Sequence, residues 1–374
     1  MMGNEVGKRV LMKKVDRDSI VERSEYMDKI QGIMIRKHKV LLKNYLRGLK
    51  YVLWLGVKRY NKTARDLTGL YYHDNTFPDK HQIKTVVSMV DGLVLHGGLT
   101  DRLRGIVYVY HWCKVHRVRY KICFTTPFRL EEFLVPNKTD WRLTDGELVK
   151  NPTVSRPLFV DVQDCHPWEP ILRNWYFRLK MLLYTHKYCQ THVYTNLMGV
   201  EKKEYSALFN ELFKPSAFLQ QKIDRCKAEI CLAGGGYLSV SFRFLELLGD
   251  FKDNGMRKPL PPKERDDLIA ACIAQIDKIR EHVPMHEKVV ITADSAMFIE
   301  RVRRLPYVYT IPGAIGHIEH GANRMDIHLK TFLDYFIIAG ARKAYLVRNC
   351  QMYSSGFARY AAMINNIPFE EVVF

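Results

Sequence analysis

From Val86 onward, short apolar runs alternate with longer segments whose apolar residues recur every three or four positions, the pattern of strands alternating with amphipathic helices. Val86–His96, interrupted at Asp91 and Gly92, then Tyr120–Thr125, Pro157–Val162 and Thr191–Thr195 predict four strands. Helices are predicted from Ile106, Val109, Tyr110 and Cys113, around Leu130–Leu134, and over Trp168–Tyr184 and Tyr205–Lys227. Past the glycines at 234–236 the rhythm resumes, with strands at 237–243, 288–293, 307–311 and 344–348. The helices between and after them fall at 264–281, 295–304, 325–339 and 355–365. This alternation builds a parallel sheet covered on both faces. Two successive runs predict an α/β chain of two Rossmann-like, doubly wound domains facing across a cleft. The expected division is a basic helical region over 1–85, a first domain over 86–230 and a second over 231–374.

Residues 1–32 are densely charged and carry no recognisable chemistry. Between Ile33 and Tyr60 the stripe Leu42, Tyr45, Leu46, Leu49, Val52 and Leu53 is bordered by Arg36, Lys37, Lys39, Lys43, Arg47 and Lys50, which predicts one basic amphipathic helix. Such a helix packs its stripe on the domain behind it, or lies on an anionic membrane with Tyr51 and Trp54 among the headgroups.

Composition narrows the class. The chain has 374 residues, 47% of them hydrophobic and 12% aromatic, enough for a large core and against disorder. Lys plus Arg number 58 against 40 Asp plus Glu, a net charge of +18 that attracts polyanions, anionic lipid or phosphorylated ligands. The eight cysteines form no CxxC pair and read as buried thiols of a reducing compartment. Neither a secretory apolar block nor a run of roughly 20 apolar residues is present, so the expectation is a cytoplasmic protein, soluble or peripheral on the inner face of a membrane.

The stretch Tyr237–Asp250 concentrates candidate chemistry. A buried strand there ends on Arg243, whose guanidinium can grip a phosphate through two parallel hydrogen bonds. Asp294 with Ser295 follows the next strand, and Asn349, Ser354 and Ser355 follow the last. The carboxyl ends of parallel strands share one edge, so these groups can converge. Each also has a plain structural reading, as helix caps for the serines and Asp294 and as an ion pair for Arg243. In the first half, His96-Gly97-Gly98-Leu99-Thr100-Asp101-Arg102 joins a strand to a helix start. That is either a tight connection or an anion site made of backbone N–H groups, with Arg102 beside it.

No compact metal-ligand pattern is found. His317, Glu319 and His320 read as loop residues, and Asp16-Arg17-Asp18 falls in the charged amino terminus. GxSxG, Walker and GxGxxG signatures are absent, which lowers hydrolases, P-loop enzymes and dinucleotide oxidoreductases.

Three segments resemble the fucosyltransferase superfamily of bacterial and animal α1,2- and α1,6-fucosyltransferases and protein O-fucosyltransferases. HGGLTDRLRGI at 96–106 is similar to its glycine loop, of the form GGLGNRLR. SVSFRFLELLGDF at 239–251 is similar to HxRRxD. FLDYFIIAGARKAYLVRNCQMYSSGFARYAA at 332–362 is similar to its Asp-bearing helix, strand and SxFSxxA turn. The resemblance covers roughly residues 90–374. It implies a GT-B glycosyltransferase in which Arg243 binds the donor diphosphate, Ser355 contacts phosphate, Phe357 follows as the aromatic, Asp334 is the helix acid and Asp294 lies near the nucleotide. Departures are Ser241 in place of His, Phe244 in place of a second Arg, and Gly249–Asp250 arriving several residues late.

The function so implied is inverting, metal-independent sugar transfer, with GDP-fucose as the first donor and no cofactor. The acceptor is a glycan or lipid-linked glycan, as in surface-polysaccharide or glycolipid assembly, with an anionic membrane as a further partner. Glu246, Asp250 and Asp101 are the candidate bases for the acceptor hydroxyl. Two rivals stand beside it. Charge and the aromatic-basic mixture at 45–60 suggest a nucleic-acid-binding protein, although no known module is present. Ser241 and Phe244 suggest an inactive scaffold of the same fold.

Overall fold

The structure, a computed structural model, describes residues 46, 61–71, 83–162, 169–232, 235–251, 257–281, 284–318 and 324–374. Apart from Leu46, the basic helix expected over 33–60 lies outside these residues, as do the Asp16-Arg17-Asp18 triplet, Glu319 and His320. By internal contacts the chain divides into Met1–Asn61 with Gln163–Leu172, and Lys62–Val162 with Arg173–Phe374. Leu46, Asn61 and residues 169–172 are described in the first unit, all helical. The second unit contains both sheets.

Helix α1 (Asn61–Tyr71) precedes β1 (Thr85–Val90), α2 (Leu99–His116), β2 (Arg119–Phe124), a 3-10 turn (Leu130–Glu132), β3 (Leu134–Pro136), β4 (Ser155–Val160), α3 (Glu169–Lys187) and β5 (Gln190–Thr195). Strands β2-β1-β5-β4, in that order, form an all-parallel sheet with Val86 opposite Tyr120 and Leu158 opposite Val193. Every residue of β1 and β5 is buried, as expected of central strands covered on both faces.

The chain continues through α4 (Lys202–Leu212), β6 (Phe213–Pro215) and α5 (Ala217–Ile230) into the second half: β7 (Tyr237–Phe242), α6 (Pro262–Arg280), β8 (Lys288–Ala293), α7 (Ala296–Val302), β9 (Val308–Thr310), α8 (Met325–Ala339), β10 (Lys343–Arg348), α9 (Phe357–Ile364) and β11 (Phe369–Val373). The second sheet runs β11-β10-β7-β8-β9, again all parallel. Val240, Phe242, Phe244, Leu248, Phe298 and Val302 lie at the heart of its core. Two doubly wound α/β units are therefore present, as the alternation predicts.

Several boundaries differ from expectation. The strand over 86–96 stops at Val90, because the chain bends through Asp91 and Gly92, the latter at φ +85°. The helix over 205–227 is two helices. Pro215 offers no N–H to continue the first, and Ser216 caps the second by accepting from Leu219 N–H at 3.2 Å. Between them β6 pairs antiparallel with β3. The helix around 130–134 is a single 3-10 turn, and β11 has no counterpart in the predicted elements.

The halves share a seam. Phe332 of α8 stacks on Phe133 with centroids 4.5 Å apart and meets Phe128 edge-on at 5.6 Å. Ser206 Oγ and Asn210 Nδ2 of α4 donate to the Ile364 carbonyl at the end of α9, at 2.7 and 2.8 Å. Aromatic burial supplies most of the attraction, and the paired hydroxyl and amide fix the register.

Candidate functional site

In a doubly wound sheet a crevice opens where consecutive crossovers leave in opposite directions. In the second sheet that point lies between β7 and β10, since β8 and β9 are laid down on one side of β7 and β10 and β11 on the other. Arg243 follows β7 directly, and the loop 349–356 follows β10. The two are joined, because Tyr353 N–H donates to the Arg243 carbonyl at 3.1 Å. Arg243 and the serine turn thus occupy one edge of the sheet, as the pattern of strand ends requires.

Arg243 is held on two sides. Its Nη1 lies 3.2 Å from Asp294 Oδ2, and its guanidinium carbon sits 4.8 Å from the centre of the Phe251 ring. The side chain keeps 21% of its exposure, so it is oriented without being closed off. Asp294 follows β8 and is buried. Its Oδ1 accepts from Phe244 N–H and its Oδ2 from Leu245 N–H, both at 2.8 Å. Burial pushes its carboxyl up from the ordinary value, against the opposing pull of Arg243 and of those two donors. This engagement of Asp294, expected near the nucleotide, pins the turn where Leu245 adopts φ +54°.

Ser295 and Asp250 act as a pair at the start of α7. Ser295 Oγ accepts from Phe298 N–H at 3.1 Å and donates to Asp250 Oδ2 at 2.9 Å, which also accepts from Met297 N–H at 2.7 Å. The capping reading describes Ser295, and the Asp250 carboxylate joins it at the positive end of the helix. Glu246 is buried in the same turn, where its carbonyl accepts from Gly249 N–H at 3.0 Å. Phe244 is fully buried against Phe242 and Phe298, so the position to which the resemblance gives a second arginine is a core position here. Ser241 shares a hydrogen bond with Thr292 across β7 and β8 at 2.7 Å.

In the loop after β10, Asn349 Oδ1 accepts from Gln351 and Met352 N–H at 2.9 and 3.0 Å. Ser354 Oγ donates to Glu371 Oε1 at 2.9 Å, and Ser355 Oγ accepts from Phe357 N–H at 3.2 Å just before α9. Phe357 meets the Tyr335 ring edge-on at 5.1 Å. Glu371, on β11, also accepts from Arg348 Nε at 2.6 Å and Arg359 Nη2 at 3.0 Å. The hydrogen bond from Arg348, followed by those charges and Ser354, draws its carboxyl below the ordinary range despite some burial. Sequence reasoning missed Glu371. The aromatic and β-branched residues Phe369, Val372 and Val373 were the available signal that a last strand carries it past the serine turn.

The glycine loop of the first half approaches this turn. A Cβ placed on Gly356 would lie 4.0 Å from Thr100 Cγ2, in the first turn of α2. Gly97 adopts φ +74°, and Gly98 N–H donates to Asp101 Oδ2 at 3.2 Å, the half of a capping box open to a glycine. Asp101 Oδ1 pairs with Arg104 Nη2 at 3.0 Å, and Arg104 Nε donates to the Asn196 carbonyl at 2.6 Å. Arg102, expected beside an anion, is buried instead. Its Nε donates to the Gly97 carbonyl at 3.0 Å and its Nη1 to the Thr126 carbonyl at 2.9 Å, so it shapes the loop from within. Where the helices meet, the Tyr205 and Tyr335 side chains are buried, and burial pushes both phenols up.

Asp334, the helix acid that the resemblance implies, is paired within its own helix. Both of its oxygens take Lys330 Nζ, at 2.5 and 2.6 Å, on the same helix, and its charge is felt by Cys226 of α5. Among the described residues no group of three or more His, Cys, Asp or Glu side chains is arranged to hold a metal ion.

No family model and no curated protein matches this chain. Solved structures similar to it include a variant of Arabidopsis thaliana FUT1 in complex with GDP, at 11% identity and a TM-score of 0.49, over 88% of this chain and 78% of that one. Fucosyltransferase NodZ from Bradyrhizobium is 17% identical with a TM-score of 0.46, over 75% of this chain and 93% of that one. POFUT1 in complex with GDP is 12% identical with a TM-score of 0.43, over 79% and 99%. At these identities the likeness is one of fold.

Proposed function

We propose that this protein transfers a sugar from a nucleoside diphosphate sugar, GDP-fucose first among candidates, to a hydroxyl of a glycan acceptor. One observation carries the reading: a partly exposed Arg243 stands at the switch point of the second sheet, hydrogen-bonded through its backbone to the loop that delivers Ser355 and the start of α9. Bidentate guanidinium, hydroxyl and helix-start dipole are donors suited to one diphosphate. The motif segments around Arg243 and Ser355 support the same assignment.

In the reaction the acceptor oxygen forms a bond to the anomeric carbon while the bond from that carbon to the diphosphate oxygen breaks. The nucleoside diphosphate leaves with the electron pair, and the configuration inverts. Arg243 and the 354–356 turn meet the negative charge that grows on the leaving oxygens. The hydroxyl proton passes to a carboxylate. Asp101 is our first choice, because it lies on the α2 start that faces α9 and keeps 34% side-chain exposure. Asp250 accepts from Ser295 and Met297 instead, and Glu246 is buried. On this reading the first half, with Gly97 and Gly98, presents the acceptor.

Calorimetric titration with GDP, GDP-fucose and UDP-sugars, followed by donor turnover with glycan acceptors, tests the proposal. Saturable guanine-nucleotide binding that weakens in Arg243→Lys is the expected result. Failure of every nucleotide sugar to bind, with salt-dependent retention of DNA or RNA on filters, would replace it with the nucleic-acid reading. Binding without turnover on any acceptor would leave an inactive scaffold.

A further inference from the structure

Helix α3 is apolar on two sides. One side is core, where Phe177 and Met181 are fully buried and Phe177 packs on Tyr108 of α2 with centroids 4.9 Å apart. The other side faces water, with Trp175 at 67%, Leu179 at 41%, Leu182 at 50% and Leu183 at 53% exposure. These four occupy positions i, i+4, i+7 and i+8 and form one continuous stripe. A globular helix normally needs one apolar face, so the second calls for a partner.

The charges beside the stripe say what kind of partner it is. Between Arg173 and Lys187 the helix carries Arg173, Arg178, Lys180 and Lys187 and no Asp or Glu. Arg178 borders the stripe on one side, Lys180 and Lys187 on the other. Lys180 Nζ lies 5.6 Å and 5.5 Å from the centres of the Tyr176 and Tyr184 rings, so a cation and two amphipathic rings line the same border. Leucines and a tryptophan in the middle, lysine and arginine at the edges and tyrosines between are the arrangement of a helix lying in the plane of a bilayer surface. A second copy of this face would bring like charges together around its apolar centre. No helix among the described residues is long and apolar enough to cross a membrane, which leaves a surface geometry for this stripe.

We propose that the outer face of α3, centred on Trp175, Leu179 and Leu183, docks the protein on an anionic lipid surface. The inference is independent of the donor site and of residues 33–60. Leucine and tryptophan side chains enter the boundary between headgroups and acyl chains, while Arg178, Lys180 and Lys187 meet lipid phosphate and carboxylate. Each basic group near such a surface is worth roughly fivefold in partitioning.

Flotation of the full chain with phosphatidylcholine vesicles, with and without phosphatidylserine, tests it. The wild type should float with the anionic vesicles, and Arg178→Ala with Lys187→Ala should lower partitioning roughly 25-fold. Trp175→Ala with Leu179→Ala should abolish flotation while leaving circular dichroism unchanged, since both side chains belong to the exposed face of the helix. A blue shift of tryptophan emission on vesicle addition should disappear in Trp175→Phe. Flotation of the Trp175/Leu179 variant at wild-type level would overturn the proposal, because binding would then reside elsewhere. So would absence of wild-type flotation, or a solution dimer abolished by the same two substitutions.

Discussion

The hydrogen bond from Tyr353 N–H to the Arg243 carbonyl, 3.1 Å long, ties together the carboxyl ends of two strands that are neighbours in the sheet but distant in sequence. It fixes the spacing between the guanidinium that follows β7 and the serine turn that precedes α9. Both sides of the proposed diphosphate site are thus set by backbone geometry, and the side chains inherit their positions from it. This relation separates binding effects from folding effects in the variants below.

Arg243→Lys retains a cation beside Asp294 and loses the planar fork. Nucleotide affinity should fall about 10- to 100-fold, the loss of one or two charge-assisted hydrogen bonds, with little change in melting temperature. Arg243→Ala should lose the same affinity and destabilise the fold by about 3 kcal/mol, because the buried Asp294 then lacks its counter-charge. Calorimetry and urea unfolding of the two variants read the terms separately. Equal nucleotide affinity in wild type and both variants would remove Arg243 from the site.

Gly105 is the point at which α2 presses on β5. A Cβ there would lie 2.1 Å from the Thr195 carbonyl oxygen and 2.9 Å from its carbon, both backbone atoms. Helix propensity alone would make Gly105→Ala stabilising by about 1 kcal/mol. Overpacking against a strand costs about 1–3 kcal/mol or more, so a net loss of stability in urea unfolding is expected. A gain would mean that α2 stands farther from β5 than it does here.

What the sequence reveals and conceals follows from the range of the forces. The βα rhythm, most of the strands and the placing of Arg243 and the loop before α9 on one sheet edge were readable, because periodicity is local and parallel strands put their ends on one edge. Pro215 announced the break between α4 and α5, but the apolar spacing on either side masked it. Arg102 looked like a ligand group because nothing local shows that a Thr126 carbonyl will take it, whereas Lys330, four residues before Asp334 on the same helix, was a local signal for their pairing. Asp250 read as a candidate base. Only the fold brings it to Ser295 and Met297.

His192 is fully buried between two partners. Gln190 Oε1 accepts from its Nε2 at 3.0 Å, so Nδ1 is the acceptor for the Tyr71 hydroxyl at 2.5 Å, and the ring is neutral. Burial, with Lys150 adding to it, lowers its pKa from 6.5 to about 3, and burial lowers that of His96 to about 3 as well. Both groups are neutral in the native state where the unfolded chain would take protons. Their contribution to stability is therefore present above 6.5 and is lost as pH falls toward 3, by up to about 1.4 kcal/mol per pH unit for each histidine. Urea midpoints across that window should show the slope, and His192→Gln should reduce it by the equivalent of one proton. An unchanged slope in the variant would mean that His192 is protonated in the native protein.

Ser355 permits a sharper separation of structure from binding. Its Oγ accepts from Phe357 N–H, a local turn that an aspartate makes equally well. Ser355→Ala removes the acceptor and should cost about 1 kcal/mol of stability, by analogy with a lost helix cap, together with any phosphate contact. Ser355→Asp should restore stability to near the wild-type value, because its carboxylate can accept the same N–H and sits at the positive end of α9. A carboxylate at that point repels a diphosphate, so nucleotide affinity should fall below that of Ser355→Ala, by tenfold or more. Stability and affinity then move in opposite directions between the two substitutions, which a purely structural serine cannot produce. Thermal unfolding beside GDP titration measures both, and parallel changes would assign Ser355 to capping alone.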